Sequence, residues 1–278
     1  MLKTRIITAL VLLAVLLPVL YLNYFPAFAV IATAFFGAAV WESFRIFKNR
    51  QALLIAAVWT AAFAYTFFFS NGMAQLNFWY ALCVAIWLIR FVPSLATGLP
   101  PLEGLGNTLL SLVYAVTIVG CFVAIVALFM HSPLYLLSVM ALVWIADIGA
   151  YFSGKAFGKR KLAPSISPGK SWEGAIGGGV AVLVLSSLVI LFGGAAGGVL
   201  ADTFVVKLHA AWGWAATLAV LAVIVAASVV GDLFESQLKR RAGVKDSSNL
   251  LPGHGGVLDR IDALIPVLPL AALIYGML

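Results

Sequence analysis

Residues 228–262 read SVVGDLFESQLKRRAGVKDSSNLLPGHGGVLDRID. Asp232 and Glu235 are three apart and Ser236 is four from Asp232, so on a helix they share one face, with Ser228 one turn earlier. Lys239, Arg240 and Arg241 follow where a helix C-terminus favours cations, and Gly243 suits the C-cap. Pro252-Gly253-His254-Gly255-Gly256 is a sparsely substituted backbone that can bring N–H groups close to an anion. Asp259 and Asp262, again three apart, open the next helical run. Two helix ends thus each present a carboxylate pair at one surface. Carboxylates crowded together repel unless a cation joins them, and hard oxygen ligands beside a phosphate suit Mg²⁺. Asp232, Glu235, Asp259 and Asp262 are therefore candidate metal ligands; Mn²⁺ or a second cation is not distinguished from Mg²⁺. The plainer reading makes Asp259 an N-cap and Asp262 a first-turn acid. His254 reads equally well as an acid/base and as a donor bracing the loop.

A second stretch runs DIGAYFSGKAFGKRKLAPSISPGKSWEG over residues 147–174. Asp147 falls inside an apolar run, where a charge costs roughly 2.5–3.5 kcal/mol at a helix centre on insertion scales, so a metal or a base should compensate it. Tyr151 and Lys155 follow at four-residue steps on its face, and Gly154 and Gly158 permit close helix approach. Ser167-Pro168-Gly169-Lys170-Ser171 reads as a turn and helix start with Pro168 near the first helical position, so Lys170 and exposed N–H groups could hold phosphate oxygens. It is not a Walker A loop, because Pro164 stands where that motif wants glycine. Glu173 reads as a metal ligand or as a salt-bridge partner of Lys170.

The elements that must carry these residues are apolar. The chain has 278 residues, 64% hydrophobic and only 10% charged, against about 25% charged in soluble domains. That balance excludes a soluble enzyme, a disordered chain, a disulfide scaffold and a nucleic-acid binder with an extended basic face. It leaves an all-α polytopic membrane protein. Nine apolar runs are long enough to be spans, about residues 5–22, 26–44, 52–70, 76–92, 108–130, 133–153, 174–193, 212–233 and 262–278. Pro266 and Pro269 predict a kink in the last. Ala27-Phe28-Ala29 imitates a signal cleavage site after the first run, which is read here as a retained span. Cys83 and Cys121 lie within apolar runs and read as packing residues.

Lys and Arg give the sidedness. Lys3, Arg5, Arg45, Lys48, Arg50, Arg90, and the basic residues of 155–170 and 239–245 fall on one side of a nine-span chain. The other side holds only Lys207, Asp202, His131 and His209. The N-terminus is thus expected in the cytoplasm and the C-terminus outside. Residues 147–173 and 228–262 contain seven of the ten acids and ten of the seventeen bases, so residues 1–130 read as a transmembrane scaffold and 131–278 as the catalytic part. No extended soluble domain fits between the runs.

The pattern from Ser236 through Lys239-Arg240, Lys245-Asp246, Pro252, His254-Gly255-Gly256 and Asp259-Arg260 to Asp262 resembles the signature of the phosphatidate cytidylyltransferases (CDP-diacylglycerol synthases), and the stretch from Asp147 to Gly174 is also similar to that family. The resemblance implies a CTP-dependent nucleotidyltransferase of phospholipid biosynthesis that converts CTP and phosphatidate to CDP-diacylglycerol and pyrophosphate. It further implies a divalent metal, an all-helical fold in the bacterial inner membrane and a homodimer. Carried over by position, Asp232 and Asp259 would be metal ligands, and Lys170, Ser171, Lys239, Arg240, Lys245 and Arg260 would contact phosphate or nucleotide. Asp147 and Glu173 join the substrate-side candidates, and Asp232, Asp259, Lys170 and His254 the candidates for the chemistry. A CTP-dependent lipid-alcohol kinase would need similar groups but would release CDP. A secondary transporter would place its polar residues near the bilayer midplane rather than along one surface.

Overall fold

The computed structural model describes residues 2–68, 76–193 and 198–278, and the side chains of residues 2–6, 9, 12, 67 and 68 are outside the description. Lys3 and Arg5, counted above for sidedness, therefore lie outside the described side chains, and the end of the third run at 69–70 lies outside the described residues.

In a bilayer every backbone polar group must be paired within the protein, so uniformly apolar runs become helices. The first half comprises α1 (Leu2–Tyr21), α2 (Phe25–Ile46), α3 (Ala52–Phe68), α4 (Leu76–Ile86), α5 (Val92–Thr97) and α6 (Leu105–His131). A π-helical turn, Trp87–Phe91, joins α4 to α5. The second half comprises α7 (Pro133–Phe157), strands β1 (Lys161–Ala163) and β2 (Ser167–Ser171), then α8 (Trp172–Gly193), α9 (Phe204–Ala242), α10 (Leu258–Ile261) and α11 (Leu264–Tyr275). Among the described residues, six helical stretches are long and apolar enough to cross a membrane: 25–46, 76–97, 105–131, 133–157, 172–193 and 204–242. Ala52–Thr66 and Leu264–Tyr275 are apolar but shorter. The ninth run falls short because the chain turns after α10, and Pro266 then occupies the first turn of α11 with Pro269 in its interior.

Other local expectations fare differently. Phe28 and Ala29, from the signal-like triplet, are buried within α2. Both cysteines are free and buried. Gly243 closes α9 in the left-handed conformation, its N–H donating to the Arg240 carbonyl at 3.1 Å and the Val244 N–H to the Lys239 carbonyl at 3.0 Å. On the opposite side of the sequence-based division, Asp202 gathers His131 at 3.2 Å and Lys207 at 3.4 Å.

Residues 167–171 are a correction. They do not begin a helix but form β2, antiparallel to β1 with Lys161 opposite Ser171 and Ala163 opposite Ser167. Each strand of a two-stranded sheet is an edge, where Pro168, without an N–H, is tolerated. The helix starts four residues beyond Pro168 because Ser171 serves as its cap, its Oγ accepting the Gly174 N–H at 3.1 Å.

α7 and α8 pack along a line of small residues. A Cβ built on Gly154 would stand 3.6 Å from Gly174 Cα, and one on Gly174 would stand 2.9 Å from the Ala150 carbonyl oxygen. Backbone cannot yield as a side-chain tip does, so Gly174→Ala must part the helices, at a cost of about 1–3 kcal/mol. Thermal denaturation in detergent should show this loss for Gly174→Ala and not for Gly169→Ala, whose Cβ would meet nothing within 4 Å. Equal stability of the two variants would remove the close contact from the account.

Candidate active site

The rotation of α9 is set by its apolar side. Phe234 is fully buried against Phe91 (ring centroids 4.4 Å apart), Tyr114 (5.3 Å) and Trp87 (5.5 Å). Gln237 Nε2 donates to the Ser94 carbonyl at 2.9 Å and Arg241 Nη1 to the Pro100 carbonyl at 3.0 Å. With those residues held against the first half of the chain, Asp232, two positions before Phe234, faces a cavity between α7, α8 and the α9–α11 segment.

The cavity measures about 600 Å³. Its acids are Asp147, Asp232, Asp246, Asp259 and Asp262. Its bases are Lys155, Lys170, Lys239 and Arg260. Tyr151 and Ser171 also line it, so the four-residue steps Asp147, Tyr151 and Lys155 of α7 do share a cavity-facing side.

Two ammonium groups order these acids. Lys170, from β2, pairs with Asp232, which also accepts the Ser236 hydroxyl at 3.3 Å. Lys239 bridges two elements: its Nζ is 2.5 Å from Glu235 Oε2 and 2.6 Å from Asp259 Oδ1. Asp147 and Asp262 have no cationic side chain within 4.0 Å among the described residues.

Asp259 owes its place to the loop before it. Its Oδ2 accepts the Ser247 N–H (2.9 Å), the Ser247 hydroxyl (2.9 Å) and the Gly256 N–H (2.8 Å). Burial alone would raise this carboxyl, but the Lys239 ammonium and the two backbone N–H groups outweigh it and hold Asp259 below the usual carboxylate range.

Other expected site residues lie elsewhere. Glu235 is wholly buried behind Lys239 and does not line the cavity, so the Asp232/Glu235 pair presents one carboxylate there rather than two. Glu173 does not pair with Lys170. Its carboxylate accepts the Lys159 and Arg160 N–H groups and Arg160 Nε, each at 3.1 Å, because the β1–β2 hairpin brings the end of α7 over the start of α8. Arg240 is exposed outside the lining. Lys245 lines a second cleft of about 620 Å³ with Arg45 and Lys48, to which Asp246 also contributes. His254 is off the lining too, and its carbonyl accepts Arg260 Nη2 at 2.7 Å.

Glu42 escaped the sequence reading. This acid of α2 is fully buried and accepts the Ser248 hydroxyl, the Val257 N–H (3.1 Å) and the Leu258 N–H (2.6 Å), with the Ser247 hydroxyl 3.1 Å away and shared with Asp259. A Cβ on Gly256 would strike Glu42 Cδ at 2.6 Å, so this close approach requires glycine there. The signal was present: Glu42 is a single acid inside an apolar run, the same feature that singled out Asp147.

The profile of the cytidylyltransferase family matches residues 3–278. The chain belongs to the cytidylyltransferase family. This cytidylyltransferase is 37% identical to the phosphatidate cytidylyltransferase of Haemophilus influenzae, over 99% of both chains. It is 40% identical to that of Pseudomonas aeruginosa, over 99% of this chain and 98% of the relative, and 31% identical to that of Bacillus subtilis, over 96% and 95%. The family match spans both the cavity and the helices that frame it. Among the described residues of this cytidylyltransferase, no three His, Cys, Asp or Glu side chains are grouped closely enough to hold a metal ion by themselves.

Proposed function

We propose that this cytidylyltransferase joins CTP to phosphatidate, giving CDP-diacylglycerol and pyrophosphate. The substrates come from the names of its relatives. The observation that carries the reading is the meeting of Asp232 and Asp259, from separate helices, in one cavity with Lys170, Lys239 and Arg260. Two polyanions must be brought together there, and Lys and Arg clamps on phosphate oxygens remove the repulsion between them.

An oxygen of the phosphatidate phosphate attacks the α-phosphorus of CTP. A new P–O bond forms, the bond from that phosphorus to its bridging oxygen breaks, and pyrophosphate leaves with the bonding electrons. A phosphate monoester is mostly dianionic near neutral pH, so no general base is needed. His254 is accordingly given no proton-transfer role, and its backbone carbonyl holds Arg260. Lys170 and Arg260 clamp phosphate oxygens, with Ser171 capping α8 beneath them. Lys239 holds Asp259 in place, and Glu235 holds Lys239. Asp147 faces the substrate side. Lys245 and Arg240, outside the lining, are assigned to the approach of the nucleotide.

The residues fit a divalent cation, in our reading Mg²⁺. That ion binds through one or two carboxylates with phosphates and waters completing its shell, so a grouping of fewer than three acids is suited to it. Asp232 and Asp259 would hold it, with Asp262 lining the same cavity, and when bound it would offset negative charge on the transferring phosphoryl group.

Further parts of the reading rest on composition and family. The chain crosses the bacterial inner membrane nine times with its N-terminus in the cytoplasm and its C-terminus outside. The cavity opens to the cytoplasmic face, where lipid phosphate and CTP meet. Residues 1–130 form a scaffold and 131–278 the catalytic part, and the enzyme is a homodimer.

The test is a product assay on purified protein with labelled CTP and phosphatidate. The expected result is labelled CDP-diacylglycerol with equimolar pyrophosphate, abolished by a chelator and restored by Mg²⁺. Release of CDP instead of pyrophosphate would replace the proposed reaction with a kinase, and undiminished turnover in chelator would end the metal assignment.

A further inference from the structure

We propose that Glu42 is a positioning residue for Asp259: a buried carboxylate of α2 that holds the 247–258 loop, and through it the Asp259 carboxylate, against the cavity. The assignment rests on the cytidylyl transfer proposed above.

No regular secondary structure holds the loop, so side-chain bonds must. Residues 243–257 form no helix or strand, only an isolated bridge between Leu251 and Gly255. Glu42 reaches this segment at both ends. On one side it accepts the Ser248 hydroxyl and lies 3.1 Å from the Ser247 hydroxyl, and on the other it accepts the N–H groups of Val257 and Leu258, where α10 begins. Those two N–H groups belong to the cap and the first residue of a four-residue helix and have no partner within it. Every donor to this buried acid is supplied by the segment that carries Asp259, and the single proton of the Ser247 hydroxyl lies between the two carboxylates.

The link to Asp259 is direct. The Ser247 hydroxyl lies 3.1 Å from Glu42 Oε2 and 2.9 Å from Asp259 Oδ2, and the Ser247 N–H donates to the same Asp259 oxygen. Gly256, whose N–H also donates to Asp259 Oδ2, is packed on the Glu42 carboxyl. A shift of Glu42 therefore moves two of the donors that orient Asp259. Supporting bonds of this kind set how closely a reacting group is placed, and a displacement of about 1 Å can cost about 10²-fold in rate.

Glu42→Gln tests the assignment. An amide replaces one acceptor oxygen with an NH₂ donor, and whichever way it turns, the NH₂ faces the N–H of Val257 or of Leu258. Two readouts are needed: steady-state turnover of the folded enzyme with CTP and phosphatidate, and backbone amide hydrogen exchange across 247–258 in the same preparation. The expected result is a kcat about 10- to 100-fold lower with KM for CTP changed less than about threefold, and faster exchange at 256–258. Glu42→Asp keeps the acid on a shorter stem and should fall between wild type and Glu42→Gln in both readouts. Where Glu42→Gln does not fold, Glu42→Asp decides alone. Wild-type kcat and wild-type exchange in the folded variants would overturn the proposal, as would faster exchange with unchanged kcat, since that is a purely structural role. If wild type itself made no lipid product, the reaction would be wrong, and the exchange measurement would still judge the hold of Glu42 on the loop.

Discussion

Asp259→Asn should lower formation of the lipid product by at least about 100-fold, or about 2.7 kcal/mol of barrier, in protein that inserts and remains monodisperse. The two residues have nearly the same shape, so the loss would come from charge and hydrogen bonding. Asp259 Oδ2 takes three donors and Oδ1 takes the Lys239 ammonium. An amide placed there must turn its NH₂ toward either the loop N–H groups or Lys239, and both are donors. It also removes a negative charge from the position proposed to hold a cation next to transferring phosphate. Asp232→Asn should behave alike, since Asp232 lies on the same cavity and its Lys170 partner would lose its counter-charge. Glu173→Gln supplies the contrast, because its carboxylate is spent on Lys159 and Arg160 away from the lining, and turnover should stay within about threefold of wild type. Turnover per folded enzyme checks all three. Near-normal rates in both aspartate variants would dissolve the site assignment.

The parts of this site that the sequence announces are those encoded by short-range spacing. Asp147, Tyr151 and Lys155 repeat every four residues, so one helix places them together. Lys239, Arg240, Arg241 and Gly243 end a helix by its dipole and its cap, and α9 ends there. The helical character of the apolar runs follows from lipid's demand for internal pairing. What the sequence hides depends on contacts between distant segments. Spacing alone puts Glu235 beside Asp232, but only the packing of Phe234 into the aromatic group of Trp87, Phe91 and Tyr114 decides which of the two reaches the cavity. Ser167–Ser171 carries turn and cap residues and so resembles a helix start; its pairing with Lys161–Ala163 makes it a strand instead. Glu42 stands over 200 residues from the loop that it holds, beyond the reach of any local pattern.

Lys239→Met should be the most destabilising single change at the site, by about 3–5 kcal/mol, because it strips the cation from a buried carboxylate. Glu235 has no exposed surface, and its ion pair with Lys239 at 2.5 Å is the one that it makes among the described residues. The methionine keeps the length and the apolar stem, so little packing is lost and the effect reports charge. The companion variant separates fold from chemistry. Glu235→Gln in the Lys239→Met background removes one of the two buried charges that the ammonium had compensated, leaving Asp259 with its Ser247 and Gly256 donors, and should recover part of the lost thermal stability in detergent. It should not recover turnover. Asp259 loses its ammonium in both variants, and the bond from Lys239 at 2.6 Å is what ties α9 to the segment bearing Asp259. Thermal denaturation and the product assay on the same samples give the two answers independently. A Lys239→Met enzyme as stable as wild type would show that Glu235 is held neutral without its partner. A double variant with wild-type turnover would confine Lys239 to stability and leave the orientation of Asp259 to the Glu42-held loop alone.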